Sequence, residues 1–427
     1  MKRIFLVASL CLLASGATFA QKKAVKDAKA ALGKDSFSEA RELIKPALTN
    51  PETANDPEAW KIAGDIEFKA ADKEIDKEKL KEFQPDKGGW NEAVLYEAMY
   101  NLYAPYLKAD ELGELPDEKG KKKNKVRKDI VRNLKIVLPY YPNAGIYYNS
   151  SDRIKSSELF EMYWNIPQLP IFTEADKAEM KIVDSTYQII KYYATITAIQ
   201  AEDKERSIRL LKRLIDEPYY ANNTQKESDP YELLASQYYT MGDTVKFMEV
   251  LELGASKFPE NNYFVSNLIS EYISAGKMDK AMDFVDKAIA NGTDQCMFIS
   301  VKASLFADKK EFDTAEQYYN EALSNDANCQ RALEGLGLLY ALRAQEIRES
   351  AYQAPRKEQI EINKKAEESY LKALPLFEKL YDLQKANNDA PASLKKTLQK
   401  LENVYYNLEK AEELAKVQAE LETLKYD

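Results

Sequence analysis

The feature that most constrains this chain is self-similarity at a fixed step of 34 positions. Ala281, Val285 and Ala288 recur as Ala315, Tyr319 and Ala322, each pair 34 positions apart. One period earlier stand Phe247, Leu251 and Gly254, with Pro259 closing that unit. Upstream of each set lies a second stripe at helical spacing: Leu234, Ala235 and Tyr238, then Leu268, Ile269 and Tyr272, then Ala303 and Phe306. Between the stripes sit Met241-Gly242-Asp243, Ala275-Gly276-Lys277 and Asp308-Lys309-Lys310. Glycine there takes the positive φ of a short helix–helix turn. Apolar positions three and four apart put one oily stripe on each helix. One helix pair cannot bury that stripe by itself, so pairs must stack and cover one another. The small Ala positions allow close helix approach, the aromatic ones fill the space between pairs, and all of them are core.

This pattern resembles the tetratricopeptide repeat (TPR) family, whose unit of two antiparallel helices carries W-x2-L-G-x2-Y, then A-x3-F-x2-A, then Pro. Residues 228–329 hold three such units without gaps. Elsewhere the units are stretched. Ala40, Ile44, Ala47 and Pro51 close one, and Trp60-x2-Ala63-Gly64 opens the next. Gly145, Tyr148, Phe160, Tyr163 and Pro167 outline another, as do Ala194, Ala198, Leu211 and Leu214. Leu336-Gly337-x2-Tyr340 starts a unit whose second helix is delayed to Ala373, Phe377 and Leu380. From Ala315 to Ala373 is 58 positions, or 34 plus 24, which implies an insertion around 343–365 that prolongs the helices. A charged pair at 394–401 and 414–421 suits a solvent-facing cap. The resemblance implies an all-α, right-handed superhelical solenoid of antiparallel helix pairs. The expected division is an irregular arm over 21–170 with charged insertions, and a regular array over 171–427. The latter comprises repeats 228–329, an inserted repeat 330–390 and caps 391–427.

The first residues are expected to lie outside the fold. Lys2 and Arg3, an apolar run over 4–13, and Thr18-Phe19-Ala20 read as a secretory signal over 1–20 cut after Ala20. That predicts a periplasmic or secreted protein of the bacterial envelope. A lipoprotein signal is the competing reading, but Cys11 sits inside the apolar run. No other segment reaches the ~20 apolar residues a membrane span requires, so any envelope association is expected to be peripheral.

Several chemistries are excluded by what the chain lacks. It has no histidine, which removes Ser-His-Asp and Cys-His catalysis and every His-ligated metal site. It contains no phosphate-binding glycine loop, nucleophile elbow or calcium loop. A net charge of −9 disfavours a nucleic-acid footprint. We therefore expect no catalytic residues, no cofactor and no metal. A helical (α/α) toroid glycosidase would need an acid–base carboxylate pair. Such folds do not show this period, and tryptophan stands at only three positions, Trp60, Trp90 and Trp164. Cys296 and Cys329 lie 33 positions apart. Equivalent helices stack roughly 8–10 Å apart, beyond the ~7 Å that a disulfide bridges between Cα atoms, so a bridge needs both side chains to lean inward, and two free, half-buried thiols are the expectation otherwise.

The family commonly binds partners in the groove lined by first helices. Carrying its positions over gives Glu232, Ser236 and Tyr239, then Tyr263, Ser266 and Ser270, then Met297, Ser300 and Ser304. Ser236, Ser270 and Ser304 form a ladder with the same step as the repeat. The Lys/Asn/Arg clamp for a terminal carboxylate is absent. The resemblance thus implies an interaction scaffold with a shallow, uncharged groove for a protein or extended peptide. The alternative is glycan binding at the outer membrane, suggested by 28 tyrosines.

Three irregular segments complete the reading. Residues 110–128 read as a solvated charged loop before a helix at 129–138. Residues 165–170 (Asn-Ile-Pro-Gln-Leu-Pro) read as a rigid extended connector, since proline disfavours helix in the residue before it. Residues 70–89 read as a helix extension plus loop.

Overall fold

The computed structural model describes residues 22–51, 53–84, 89–116, 119–180, 185–217, 226–292, 294–352 and 354–424. The signal reading over 1–20 and its Ala20 cleavage lie outside these residues. Among them every regular element is helical. The helices pair antiparallel along the chain, which is the TPR-type arrangement that the period implies. The chain forms two compact units, Met1–Pro230 and Tyr231–Asp427.

In the first unit, α1 (22–33) and α2 (Phe37–Thr49) pack on α3 (Pro57–Phe83) through Ala28, Ala40, Ile44, Ala47 and Ile62. Helix α3 runs to Phe83, as the lysine- and glutamate-rich insertion predicts, and pairs with α4 (Glu92–Gly113). The core continues through α5 (Arg127–Val137), α6 (Tyr141–Tyr148) and α7 (Arg153–Asn165) around Met99, Tyr106, Leu134 and Tyr141. Short α8 (Glu174–Glu179) precedes the pair α9 (Ser185–Gln200) and α10 (Lys204–Asp216).

Two sequence expectations fail here for identifiable reasons. The connector after Asn165 is not extended. Residues Ile166–Gln168 form a 3-10 turn with Ile166 and Pro167 buried, because an apolar residue beside Pro is worth more inside the core than in solvent. The charged stretch after residue 110 is not wholly a solvated loop either. Asp110 is buried, and Arg127 grips it through Nε and Nη2 at 2.8 and 2.9 Å. That fork holds the end of α4 to the start of α5.

The second unit contains α11 (Asp229–Thr240), α12 (Thr244–Lys257), α13 (Asn262–Ser274), α14 (Met278–Ala290), α15 (Gln295–Asp308) and α16 (Phe312–Asn325). The insertion prolongs the next pair, α17 (Gln330–Ala351) and α18 (Arg356–Ala386), and the charged cap forms α19 (Pro391–Asn407) and α20 (Ala411–Thr423). Motif residues Ala281, Val285, Ala315, Tyr319, Ala373 and Phe377 are buried.

The period is written in the backbone as well. Gly242, Gly276 and Lys310, one repeat apart, take φ of 71°, 69° and 62°. Each is followed by an amide that donates five residues back: Asp243 to Tyr238, Lys277 to Tyr272 and Glu311 to Phe306, at 2.8–3.0 Å. This Schellman closure satisfies helix-end carbonyls and turns the chain into the second helix. The same turn recurs at Asp35, Glu202, Asn388 and Glu409, with φ of 55–58°.

Cys296 and Cys329 are bridged, contrary to expectation, with Cα atoms 5.6 Å apart. The spacing argument assumed two equivalent helix-interior positions. Cys296 lies in the first turn of α15, whereas Cys329 is the N-cap of α17, off its helical path. The chain entering α17 therefore approaches α15 more closely than two parallel axes would.

Candidate functional site

Consecutive first helices of the second unit line two adjoining clefts. The smaller, about 160 Å³, lies between α13, α15 and the start of α17. Of the groove positions expected from sequence, Ser266, Ser270, Met297 and Ser304 come together there, over an apolar floor that includes Ile269 and Phe298. Ser304, Asp308 and Arg331 are shared with the larger cleft, of about 570 Å³. That one lies between the end of α15, the first half of α17, the end of α18 and the start of α19.

The remaining expected positions do something else. Ser300 is fully buried, donating to the Cys296 carbonyl at 2.6 Å and touching Cys329 Sγ at 3.6 Å. It supports the disulfide and faces no groove, which corrects the expectation. Glu232 accepts from Asn261 Nδ2 at 2.6 Å, and Tyr263 donates to the Glu232 carbonyl at 3.4 Å. Together they tie α11 to α13. Tyr239 is exposed and leans on Phe247 with ring centres 5.3 Å apart. Ser236 is half-buried. None of these five lines either cleft.

The larger cleft is built by the inserted repeat. Tyr319 forms part of its floor, with its hydroxyl 2.8 Å from Ser304 Oγ. Burial pushes the Tyr319 pKa up, the hydrogen bond with Ser304 and nearby Arg331 pull it back, and the Asp308 and Glu334 carboxylates raise it further. The tyrosine stays neutral and structural. Leu338 and Leu342, one turn apart on α17, are 40% and 51% exposed and form an apolar wall. Glu334 is held by Lys400 of α19 at 2.9 Å. Gln384 of α18 is buried in the lining, and its Oε1 has no hydrogen-bond partner. The groove is therefore not uncharged: Asp308, Glu334 and Asp389 stand against Arg331.

Sequence reasoning missed Leu338, Leu342 and Gln384, because the family positions were carried over only within the three regular units. One signal was present. Gln384 continues the stripe of Phe377 and Leu380 at helical spacing, so it is a polar residue at a core position. Among the described residues no three His, Cys, Asp or Glu side chains are placed to hold a metal, and no helix is long and apolar enough to cross a membrane.

No family model matches the chain, and no curated protein matches it. Solved structures with similar folds do. The C-terminal part of a TPR repeat-containing protein from Cytophaga hutchinsonii is 10% identical, with a TM-score of 0.39, over 69% of this chain and 95% of that one. A tetratricopeptide repeat protein from Parabacteroides merdae is 16% identical, with a TM-score of 0.33, over 56% and 93%. The human IFIT1 dimer with PPP-AAAA is 14% identical, with a TM-score of 0.34, over 83% and 71%. At these scores the fold assignment rests on the helix pairs and their periodic turns, not on the likenesses.

Proposed function

We propose that this TPR-type chain is an exported scaffold of the bacterial envelope, one that holds protein partners by surface contact and catalyses no reaction. The observation that carries this reading is the pair of adjoining clefts along α13, α15, α17 and α18. Each helix spends one face on its neighbours, and the faces left over form a shallow, mixed apolar and polar lining. Such a surface suits recognition: apolar side chains supply the driving force and polar groups fix register. The absence of histidine from the sequence supports a non-catalytic role. The positive, apolar and small-residue order of residues 1–20 supports export.

Two measurements test this. Cell fractionation with mass determination of the mature N-terminus is expected to find the chain outside the cytoplasm, beginning at Gln21. A photo-crosslinker at Ser270 or Leu338 is expected to trap a defined protein set, while one at exposed Tyr352, outside either cleft, does not. Equal trapping at all three positions would sink the reading.

A further inference from the structure

We infer that the lysine-rich segment 119–128 is a docking ridge for the anionic headgroups of a phospholipid bilayer. It lies in the first unit, apart from both clefts, and assigns the face that meets a membrane rather than the one that holds a partner.

Seven of the ten residues over 119–128 are lysine or arginine. Acidic residues flank the run, so its field depends on where their carboxylates go. The structure separates the two signs. Asp110 and Glu114 are spent on Arg127, whose guanidinium reaches each at 2.8 Å. Asn124 closes the same knot. Its Nδ2 donates to Asp110 Oδ1 at 2.8 Å, and its Oδ1 accepts from the Val126 and Arg127 amides. Glu111 pairs with Lys108, and Asp129 with Lys61 and Arg132. Lys119, Lys121, Lys122, Lys123, Lys125 and Lys128 are exposed. Of these, Lys122, Lys123, Lys125 and Lys128 meet no carboxylate among the described residues. Asp117 and Glu118 immediately precede the run, and against them the lysines keep a clear positive excess. Buried Val126 and the Asn124 knot pin the segment between α4 and α5, so the lysines stand on a defined part of the surface and not on a free tail.

The chemistry of the ridge selects its occupant. Lysine is a compact charge on a long stem, without the fork that arginine offers a single phosphate. No aromatic residue interrupts 119–128 to stack on a base. Such an array suits a plane of many mobile negative charges better than one fixed ligand. Each lysine near an anionic bilayer strengthens attachment about fivefold. The chain as a whole carries −9, yet charges beyond about 8 Å are screened at physiological salt. The ridge therefore binds locally while the acidic remainder is held off, which orients the molecule on the lipid.

The test is cosedimentation of the chain from Gln21 onward, so that the apolar run over 4–13 adds no lipid affinity of its own. Vesicles of equal parts phosphatidylglycerol and phosphatidylcholine are compared with vesicles of phosphatidylcholine alone. Binding is expected to the first and not to the second, and is expected to disappear at about 1 M salt, where screening shortens to about 3 Å. Lys122→Gln, Lys123→Gln, Lys125→Gln and Lys128→Gln together are expected to weaken it by about a hundredfold or more. Arginine at the same four positions keeps the charge and is expected to keep the binding. Lys357→Gln, Lys364→Gln, Lys365→Gln and Lys396→Gln, at exposed positions of α18 and α19, alter the net charge equally and are expected to change little. Circular dichroism and urea unfolding confirm the fold of each variant.

No binding to the anionic vesicles overturns the inference, as does equal binding to the phosphatidylcholine vesicles. An equal loss in the α18 and α19 variant also overturns it, by reducing the effect to net charge. Displacement of the vesicles by duplex DNA or polyglutamate at equal charge concentration overturns it in favour of a nucleic acid or an acidic protein. Fractionation and the crosslinks at Ser270 and Leu338 test the scaffold reading separately, so either reading can fail alone.

Discussion

The ring of Tyr319 occupies the space that a side chain at position 335 would need: a Cβ on Gly335 would lie 2.3 Å from Tyr319 Cε1. Helix α17 crosses α16 at this point because residue 335 has no side chain, and the hydroxyl of the same tyrosine reaches Ser304 across the floor of the cleft. Alanine in a helix interior ordinarily gains up to about 1 kcal/mol over glycine. Here overpacking against a ring held on both sides opposes that gain by about 1–3 kcal/mol. Gly335→Ala is expected to lower unfolding stability by about 1 kcal/mol net, measured by urea titration. Combined with Tyr319→Ala its further cost is expected to vanish. An alanine that stabilises the otherwise unaltered chain would show that the two helices are free to separate.

The Cys296–Cys329 bridge ties the first turn of α15 to the N-cap of α17, beside the shared end of both clefts. Closing a loop of that length restricts the unfolded chain. Losing such a bridge typically costs about 2–4 kcal/mol. Cys296→Ser with Cys329→Ser is expected to lower the unfolding midpoint, and a reductant to do the same to the unaltered protein but not to the variant. Thiol titration of the denatured, signal-free chain is expected to find no free thiol. Two thiols per chain would contradict the bridge.

Most of the fold was legible because stacking imposes a common length on every unit. Ala281 and Ala315 announce the period, and the excess length before Ala373 announces the long helices α17 and α18. What remained hidden was decided by local backbone geometry. Glycine marks the turns at 242 and 276, and Asp35 and Asn388 are types that tolerate the left-handed conformation, but Glu202, Lys310 and Glu409 adopt it with nothing in their type to declare it. Cys329 was misjudged because a cap residue sits off the helical path. Ser300 was misplaced because it holds the repeat position of cleft-lining Ser266, but there the Cys329 cap and its disulfide cover it. The larger cleft escaped because it is made by the insertion, where family positions no longer apply.

Those left-handed turns supply a third prediction. Lys310 holds φ of 62° at the position where its two predecessors in the repeat are glycines, and its side chain is exposed. A residue with a Cβ is strained there by about 1–2 kcal/mol. Part of that is offset by the greater freedom glycine has in the unfolded chain. Lys310→Gly is expected to raise stability by about 0.5–1 kcal/mol, while Gly276→Ala, the converse change, lowers it by a similar amount. Urea midpoints for the two variants moving in the same direction would reject the equivalence of these turns.

The first unit carries a pH dependence of defined sign. Glu161 of α7 is 9% exposed and receives Arg206 Nη1 at 2.6 Å and Arg209 Nη1 and Nη2 at 2.6 and 2.9 Å, all from α10. Burial alone would raise its pKa, but the Arg209 and Arg206 guanidiniums overcome this and hold it below the ordinary 4.5. A carboxylate with a depressed folded pKa contributes stability that is fully present above its unfolded value. That contribution is lost as pH falls through the folded value. Glu161→Gln keeps the shape but removes the charge, and is expected to cost about 2 kcal/mol at pH 7. The gap between the unaltered protein and the variant is expected to stay level from pH 7 down to about 5 and to shrink below 4.5. Comparing the two proteins at each pH cancels the titration of every other carboxylate. A gap that widens on acidification would mean that Glu161 is already protonated in the folded chain, and that the guanidiniums of Arg206 and Arg209 bind elsewhere.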